Sequence, residues 1–173
     1  MINETIQNHL LEQLRVEWQS EFAYLGMMAW CYNNDWDGFG AWFLRQSVEE
    51  REHGMKILRF ISETGGKMLI PAIDAPTITF SSIQECYEQA LHHEEMVTHK
   101  VHDLMDAAIK SNDHSTQTFL QWFIQEQVEE EATARHILAK VRRAKDHPAA
   151  LLMIEQQLGN PDMPGVPAPG GAE

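Results

Sequence analysis

Four stretches of this chain place apolar residues at alternating steps of three and four, and each is broken near its middle by carboxylate, imidazole or amide side chains. The interruptions are Glu17 in the first stretch, Glu50 with His53 in the second, Glu94 in the third, and Gln127 with Glu130 in the fourth. Their spacing repeats. Glu17 and Glu50 lie 33 residues apart, as do Glu94 and Gln127, and an offset of 77 maps Glu17, Glu50 and His53 onto Glu94, Gln127 and Glu130. Apolar seams of this period are the buried faces of long helices. Charged groups are almost never fully buried unless they are paired or bound to a metal. The pattern therefore calls for four helices that aim carboxylates into one core and hold two metal ions between helix pairs.

Each seam can be written out. Helix A offers Leu10, Leu14, Glu17, Glu21, Tyr24, Met28 and Cys31, and helix B offers Phe39, Phe43, Gln46, Glu50, His53, Ile57 and Phe60. Helix C offers Ile83, Tyr87, Ala90, Glu94, Val97, Val101 and Leu104, and helix D offers Leu120, Phe123, Gln127, Glu130, Ala134, Ile137 and Val141. Helix A should run from about Glu4 to Asn33 and end in Asn33-Asn34-Asp35. Asp37 is the expected N-cap of helix B, which reaches Thr64 and stops at Gly65-Gly66. Ser82 and Glu85 have capping-box spacing at the start of helix C, which fades at Ser111-Asn112. Helix D covers roughly Ser115 to Lys145, and Asp146-His147-Pro148 opens a short fifth helix, ALLMIEQQL.

The A–B and C–D connections are short, so those pairs should be antiparallel neighbours. Helices of about 28 residues are about 42 Å long. The 16 residues from Gly66 to Ser81 reach roughly 50 Å when extended, enough to travel the length of a bundle. The expectation is an all-α four-helix bundle with one long crossover and a short fifth helix. Residues 1–159 form its single domain, and the Pro/Gly-rich segment over 160–173 reads as a disordered tail.

A length of 173 residues suits one domain with a full core. The net charge of −13 opposes binding to nucleic acid phosphates and attracts small cations. No apolar run approaches the roughly 18 residues that span a bilayer. The opening MINETIQNHL lacks the basic and apolar regions of a signal peptide, so a cytoplasmic location with no membrane partner is expected. Cys31 and Cys86 have no CxxC spacing and read as two small buried thiols rather than a disulfide or zinc site.

Taken singly, the seam interruptions say little, since a Glu-x-x-His motif arises often by chance. Four seams broken at one level do not. Oxygen ligands with one imidazole suit iron or manganese better than copper. The carboxylates of Glu17, Glu50, Glu94 and Glu130 carry four negative charges, which match two divalent ions. Glu50 is the natural bridge between the two ions. Helix D has Gln127-x-x-Glu130, with Thr133 where a symmetric plan would place a second His. The second metal should therefore bind less tightly, which favours metal that moves on over a fixed cofactor.

These residues resemble those of non-haem bacterial ferritins. The resemblance runs from about Glu4 to Leu158 and is carried by Glu17, by Tyr24 in EFAYLGM, by Glu49, Glu50 and His53 in SVEEREHG, by Glu94 in HHEE, and by FLQWFIQEQVEEE. It implies the ferritin-like fold and an iron ferroxidase centre. Glu17, Glu50 and His53 would bind the first iron, and Glu50, Glu94 and Glu130 the second. Glu49, Glu126 and Glu129, with Glu130, would form a third iron site nearby, although on spacing alone those three read as a solvated acidic patch. Tyr24 and Trp122 match aromatic residues beside the centre that can supply electrons, and Gln127 matches a Gln that supports the ligands. The implied substrates are Fe(II) and O2, with H2O2 as a further oxidant, and the implied assembly is a homo-oligomeric hollow shell of about 24 subunits.

Two positions depart from related patterns. Bacterioferritins carry a haem-ligating Met just after the bridging Glu, and Arg51 stands there, so no haem is expected. Animal ferritins line an entry funnel with carboxylates where this chain has Gln117 and Leu120. The rival readings are a rubrerythrin-like di-iron peroxidase or oxygenase, a storage subunit without catalysis, and a mini-ferritin. The missing second His, the seam ligands and the fifth helix count against them in turn. Glu21 reads as a polar neighbour of the site, and His92, His93, His99, His102, His114 and His136 as surface residues.

Overall fold

The computed structural model describes residues 2–145 and 147–160. Its elements are α1 (Glu4–Asn33), α2 (Asp37–Glu63), α3 (Ile83–Lys110), α4 (His114–Ala144) and α5 (Pro148–Gly159). No strand occurs among the described residues. The tail expected to be disordered lies, from residue 161 onward, outside the described residues, as does Asp146.

The helix ends follow local chemistry with one exception. Asn3 accepts from the Ile6 amide at 2.8 Å, Ser82 from Glu85 at 3.2 Å, and Asp113 from Thr116 at 3.0 Å. The Glu85 carboxylate closes its capping box on the Ser81 amide at 2.6 Å, one residue before the expected partner. Helix α2 ends with Gly65 at φ 77° and a 2.8 Å bond from the Gly66 amide to the Ile61 carbonyl. At the start of α2, Trp36 rather than Asp37 is the N-cap, and no side chain caps locally. Glu155 of α5 instead accepts from the Gly38 amide at 3.0 Å. A carboxylate 117 residues away therefore supplies the cap.

Side-chain pairings set the directions of the helices. Glu21 meets Arg51 across α1 and α2, and Glu88 meets Arg142 across α3 and α4. Tyr24 meets Glu94 across α1 and α3, and Phe60 stacks on Phe119 across α2 and α4. Each helix is antiparallel to both its neighbours, which leaves α2 parallel to α3 and requires a connection along the whole bundle. The segment between Thr64 and Ser82 provides it by running beside α1. Lys67 donates to Gln7, Asp74 exchanges two bonds with Gln19, and Phe80 packs edge-on to Trp30. Gly26 is needed where this strap comes closest, because a Cβ there would stand 2.2 Å from the Thr77 carbonyl oxygen.

The interior has two apolar halves. One is mostly aliphatic and is built around Ile6, Leu10, Leu14, Ile57, Ile61, Val101 and Leu104. The other is rich in aromatic side chains and joins Tyr24, Phe39, Trp42, Phe43 and Tyr87 to the two cysteines. Between the two halves lies a buried polar layer of Glu17, Glu50, His53, Glu94 and Gln127. The written seams match this core except at Glu130, which is half-buried, and near their ends. Met28 and Phe60 are only partly buried, and Met27 and Ile61 take the fully buried places. A straight helix of period 3.6 drifts off a strict 3.5 repeat, so such slips collect at the ends. No helix among the described residues is long and apolar enough to cross a membrane.

Candidate metal centre

The polar layer is most tightly built where α1 meets α2. Gln13, one turn before Glu17, donates from Nε2 to Glu17 Oε1 at 2.7 Å. The other oxygen, Oε2 of Glu17, is buried with no hydrogen-bond partner, and so is Oε2 of Glu50. His53 Nδ1 lies 3.7 Å from each of these two oxygens. Ligand atoms about 2.1 Å from one octahedral cation stand about 3 to 4 Å apart, so this trio fits a metal ion. Unpaired buried carboxylate oxygens are costly, and a cation between them removes that cost.

The geometry of this half rests on a close helix contact. A Cβ on Gly54 would lie 2.2 Å from Trp18 Nε1, so only glycine lets α1 and α2 approach here. Trp18 and Gly54 each follow a trio member directly, and their contact sets the register of Glu17 against His53.

A second trio consists of His53, Glu126 and Glu130, whose ligand atoms also lie within 4.8 Å of one another. Glu126 and Glu130 are half-buried. His53 is thus common to both trios, in the place between them that the sequence assigned to Glu50. Glu94 belongs to neither trio. It is fully buried, its Oε1 accepts from the Tyr24 hydroxyl, and its Oε2 accepts from Gln127 Nε2 at 3.3 Å. Gln127 also donates to the Glu94 carbonyl at 3.2 Å, which ties α4 to α3 at this level. Glu49 is half-buried and accepts from Gln46, while Glu129 is exposed and outside both trios. Trp122 lies edge-on to His53 with ring centroids 5.2 Å apart, and the Lys56 ammonium stands 3.2 Å above its ring.

Burial and mutual charge shift the acids strongly. Desolvation, followed by the charge of Glu94, holds the Glu50 carboxyl well above its ordinary range. Desolvation raises Glu130 as well, helped by Glu94 and Glu49. Glu94 is pushed up to about 7 by burial, against the opposing hydrogen bonds from Tyr24 and Gln127. Burial alone would lower His53, but the facing carboxylates of Glu17 and Glu50 carry it well above its usual value. Desolvation and the surrounding carboxylates keep the Tyr24 phenol protonated. Without a cation this cluster retains protons, and a divalent ion would displace them.

Three residues stand differently from their sequence reading. Glu21 bonds Arg51 through Nε at 2.9 Å and Nη2 at 2.6 Å, so its charge is neutralised away from the trios. Gln13 was not among the sequence candidates, although a Gln one turn before a seam Glu is a usable signal. His93 is partly buried with an unpaired Nδ1, and burial lowers its pKa, whereas His92, His99, His102, His114 and His136 are exposed as expected. Where an entry funnel would need carboxylates, Gln117 donates to the Ala108 carbonyl and Leu120 is buried.

Comparison with known proteins bears on the chain as a whole. Residues 7–144 match the Ferritin-like domain family. A bacterial non-heme ferritin of Staphylococcus saprophyticus is 39% identical over 158 residues, covering 91% of this chain and 95% of that protein. A bacterial non-heme ferritin of Staphylococcus aureus is 36% identical over 92% of this chain and 96% of its own length. Among solved structures, an open-pore ferritin from the hyperthermophilic archaeon Archaeoglobus fulgidus superposes with a TM-score of 0.90 at 34% identity, covering 92% of this chain and 98% of that one.

Proposed function

The chain belongs to the ferritin family, and from that premise we propose that it oxidises Fe(II) with O2 inside its helix bundle and stores the ferric product as a mineral. The observation that carries this reading is the pair of orphaned oxygens on Glu17 and Glu50, held around His53 in a layer of proton-retaining carboxylates. Iron is the substrate, and the protein holds two ions close together and supplies the negative charge that offsets the charge gained on oxidation. Glu17, Glu50 and His53 bind the first ion. Glu50, Glu94 and Glu130 bind the second, with Glu94 offering the metal the oxygen that now accepts from Gln127 and keeping its bond to Tyr24. Glu126, Glu129 and Glu49, with Glu130, form the third site, through which the ferric product leaves. The proximity of Glu126 and Glu130 to His53 supports a path that begins at the centre itself. Tyr24, bonded to a ligand carboxylate, is placed to give an electron. At the position of the haem-ligating Met, Arg51 is engaged by Glu21 and offers no thioether, in keeping with a centre that uses no haem.

The assembly proposed is a hollow cytoplasmic shell of identical subunits, about 24 in number. Exposed apolar residues on several helices, among them Phe22, Tyr32, Leu44, Leu152 and Met153, support association. Anaerobic titration with Fe(II) should show roughly two to three ions bound per chain, oxidised rapidly on exposure to air. Gel filtration should give a particle of several hundred kDa. Slow oxidation at the uncatalysed rate would refute the enzymatic part, and a stable dimer would refute the shell.

A further inference from the structure

The aromatic half of the core contains two nucleophilic side chains that the iron chemistry above leaves unused. Cys31 on α1 and Cys86 on α3 are fully buried free thiols. The Tyr24–Glu94 pair sets the antiparallel register of α1 and α3, and about two turns along each helix from it Cys31 comes opposite Cys86 within one buried cluster, where Cys31 is the largest influence on the Cys86 thiol. Tyr87, next along α3, lies within the field of both sulfurs, and its buried hydroxyl has no hydrogen-bond partner. From Tyr87 the rings continue to Phe43 at 4.9 Å and Trp42 at 5.2 Å between centroids. Both of these reach Tyr24, at 6.1 and 6.2 Å. Tyr24 donates its hydroxyl proton to a hydrogen bond with Glu94 in the polar layer. A contact path therefore runs from the two thiols to the carboxylates. The other flank differs, because the aromatic groups next to His53 are Trp122 and Phe123, and the ammonium of Lys56 above the Trp122 ring opposes removal of an electron.

Reduction of O2 to water takes four electrons, and two Fe(II) provide only two. We propose that Cys31 and Cys86 form an internal two-electron reserve for the oxidation of iron, discharged through Tyr87, Trp42 and Tyr24 by closing to a disulfide. The proposal rests on the ferroxidase reading. In the balanced step, two Fe(II) each lose one electron, and the two thiols together lose two electrons and two protons as the S–S bond forms. O2 accepts the four electrons, takes those two protons and two more from solvent, and leaves as two waters. Without the thiols, the same two ions carry O2 only as far as H2O2. Fully buried thiols are shielded from direct attack by peroxide, so their oxidation depends on the internal path.

The test uses the intact protein, loaded without oxygen with two Fe(II) per chain and then given O2. Ferric absorbance is followed, and the sample is quenched with acid, alkylated and mapped by mass spectrometry. The expected result is a Cys31–Cys86 disulfide that appears together with iron oxidation and is retarded in Trp42→Phe. The double variant Cys31→Ser/Cys86→Ser should release several-fold more H2O2 than the parent, approaching roughly one peroxide per iron pair. Complete iron oxidation with both thiols still alkylatable would overturn the reserve and leave the ferroxidase reading standing. Failure of the ferric absorbance to develop would overturn both. Disulfide formation in metal-free protein given H2O2 would also overturn the proposal, because the thiols would then be reacting directly. The thiol count on the parent protein needs no variant to fold.

Discussion

The two halves of the polar layer are related by a sequence offset of 77 residues but are built in opposite ways. In the α1/α2 half, Glu17, Glu50 and His53 are all buried, two carboxylate oxygens are unpaired, and Gln13 and the Trp18–Gly54 contact fix the geometry. In the α3/α4 half, Glu94 is already satisfied by Tyr24 and Gln127, and Glu126 and Glu130 are partly open to solvent. A cation entering the first half relieves an existing cost. One entering the second must displace hydrogen bonds or water. The difference teaches that near-symmetric spacing can build unequal environments, and under the proposed function these would be a tight position that collects Fe(II) and a looser one from which the product departs.

The strongest way to break this comparison is to delete a ligand from each half. Glu50→Ala or His53→Ala should slow rapid iron oxidation by at least about 100-fold in stopped-flow absorbance, since lost outer-shell partners alone cost 10–100-fold. Glu130→Ala should slow it less, by ~10–100-fold, while calorimetry with a redox-silent divalent ion still finds one tight site. Equal loss of tight binding in both variants would make the halves equivalent and end the argument.

Protons sharpen the same contrast. Glu50, Glu94 and Glu130 have raised pKa values in the fold, Glu94 at about 7, and His53 is raised as well. A group raised on folding favours the folded state while it stays protonated, and it loses that contribution as pH rises through its folded value. Metal-free protein should therefore be more stable at pH 6 than at pH 8 in thermal melts. Divalent-ion affinity should run the other way and fall by roughly tenfold per pH unit below about 7 for each proton displaced. An affinity flat from pH 8 to pH 6 would show that the layer holds no exchangeable protons.

Smaller effects probe the supports. Tyr24→Phe removes a donor that lowers the Glu94 pKa, so that value should rise above about 7 and oxidation slow by roughly tenfold with tight binding retained. Gly54→Ala should cost about 1–3 kcal/mol by overpacking against Trp18, a melting shift of several degrees that metal binding narrows only in part. No shift would mean that Trp18 moves aside freely and does not set the register.

The chain determined its helices and the level of its polar layer by itself. Steps of three and four place a residue on one helix face whatever the neighbouring helices do, so Glu17, Glu50, His53, Glu94 and Gln127 could be assigned to the core, where all five are buried. Local capping chemistry likewise marked the ends at Ser82 and Gly65, because the interacting groups are close in sequence. What escaped was any contact spanning a long loop or a pair of helices. The N-terminus of α2 is capped by Glu155, Glu21 is neutralised by Arg51, His53 rather than Glu50 joins the two trios, and Cys31 meets Cys86. Periodicity states which face a side chain occupies. It does not state which atom of the opposite helix stands across from it, and hydrogen bonds, charge pairing and metal geometry depend on distances of a few tenths of an ångström. That choice belongs to the packing of α1 on α2, where one glycine sets the approach.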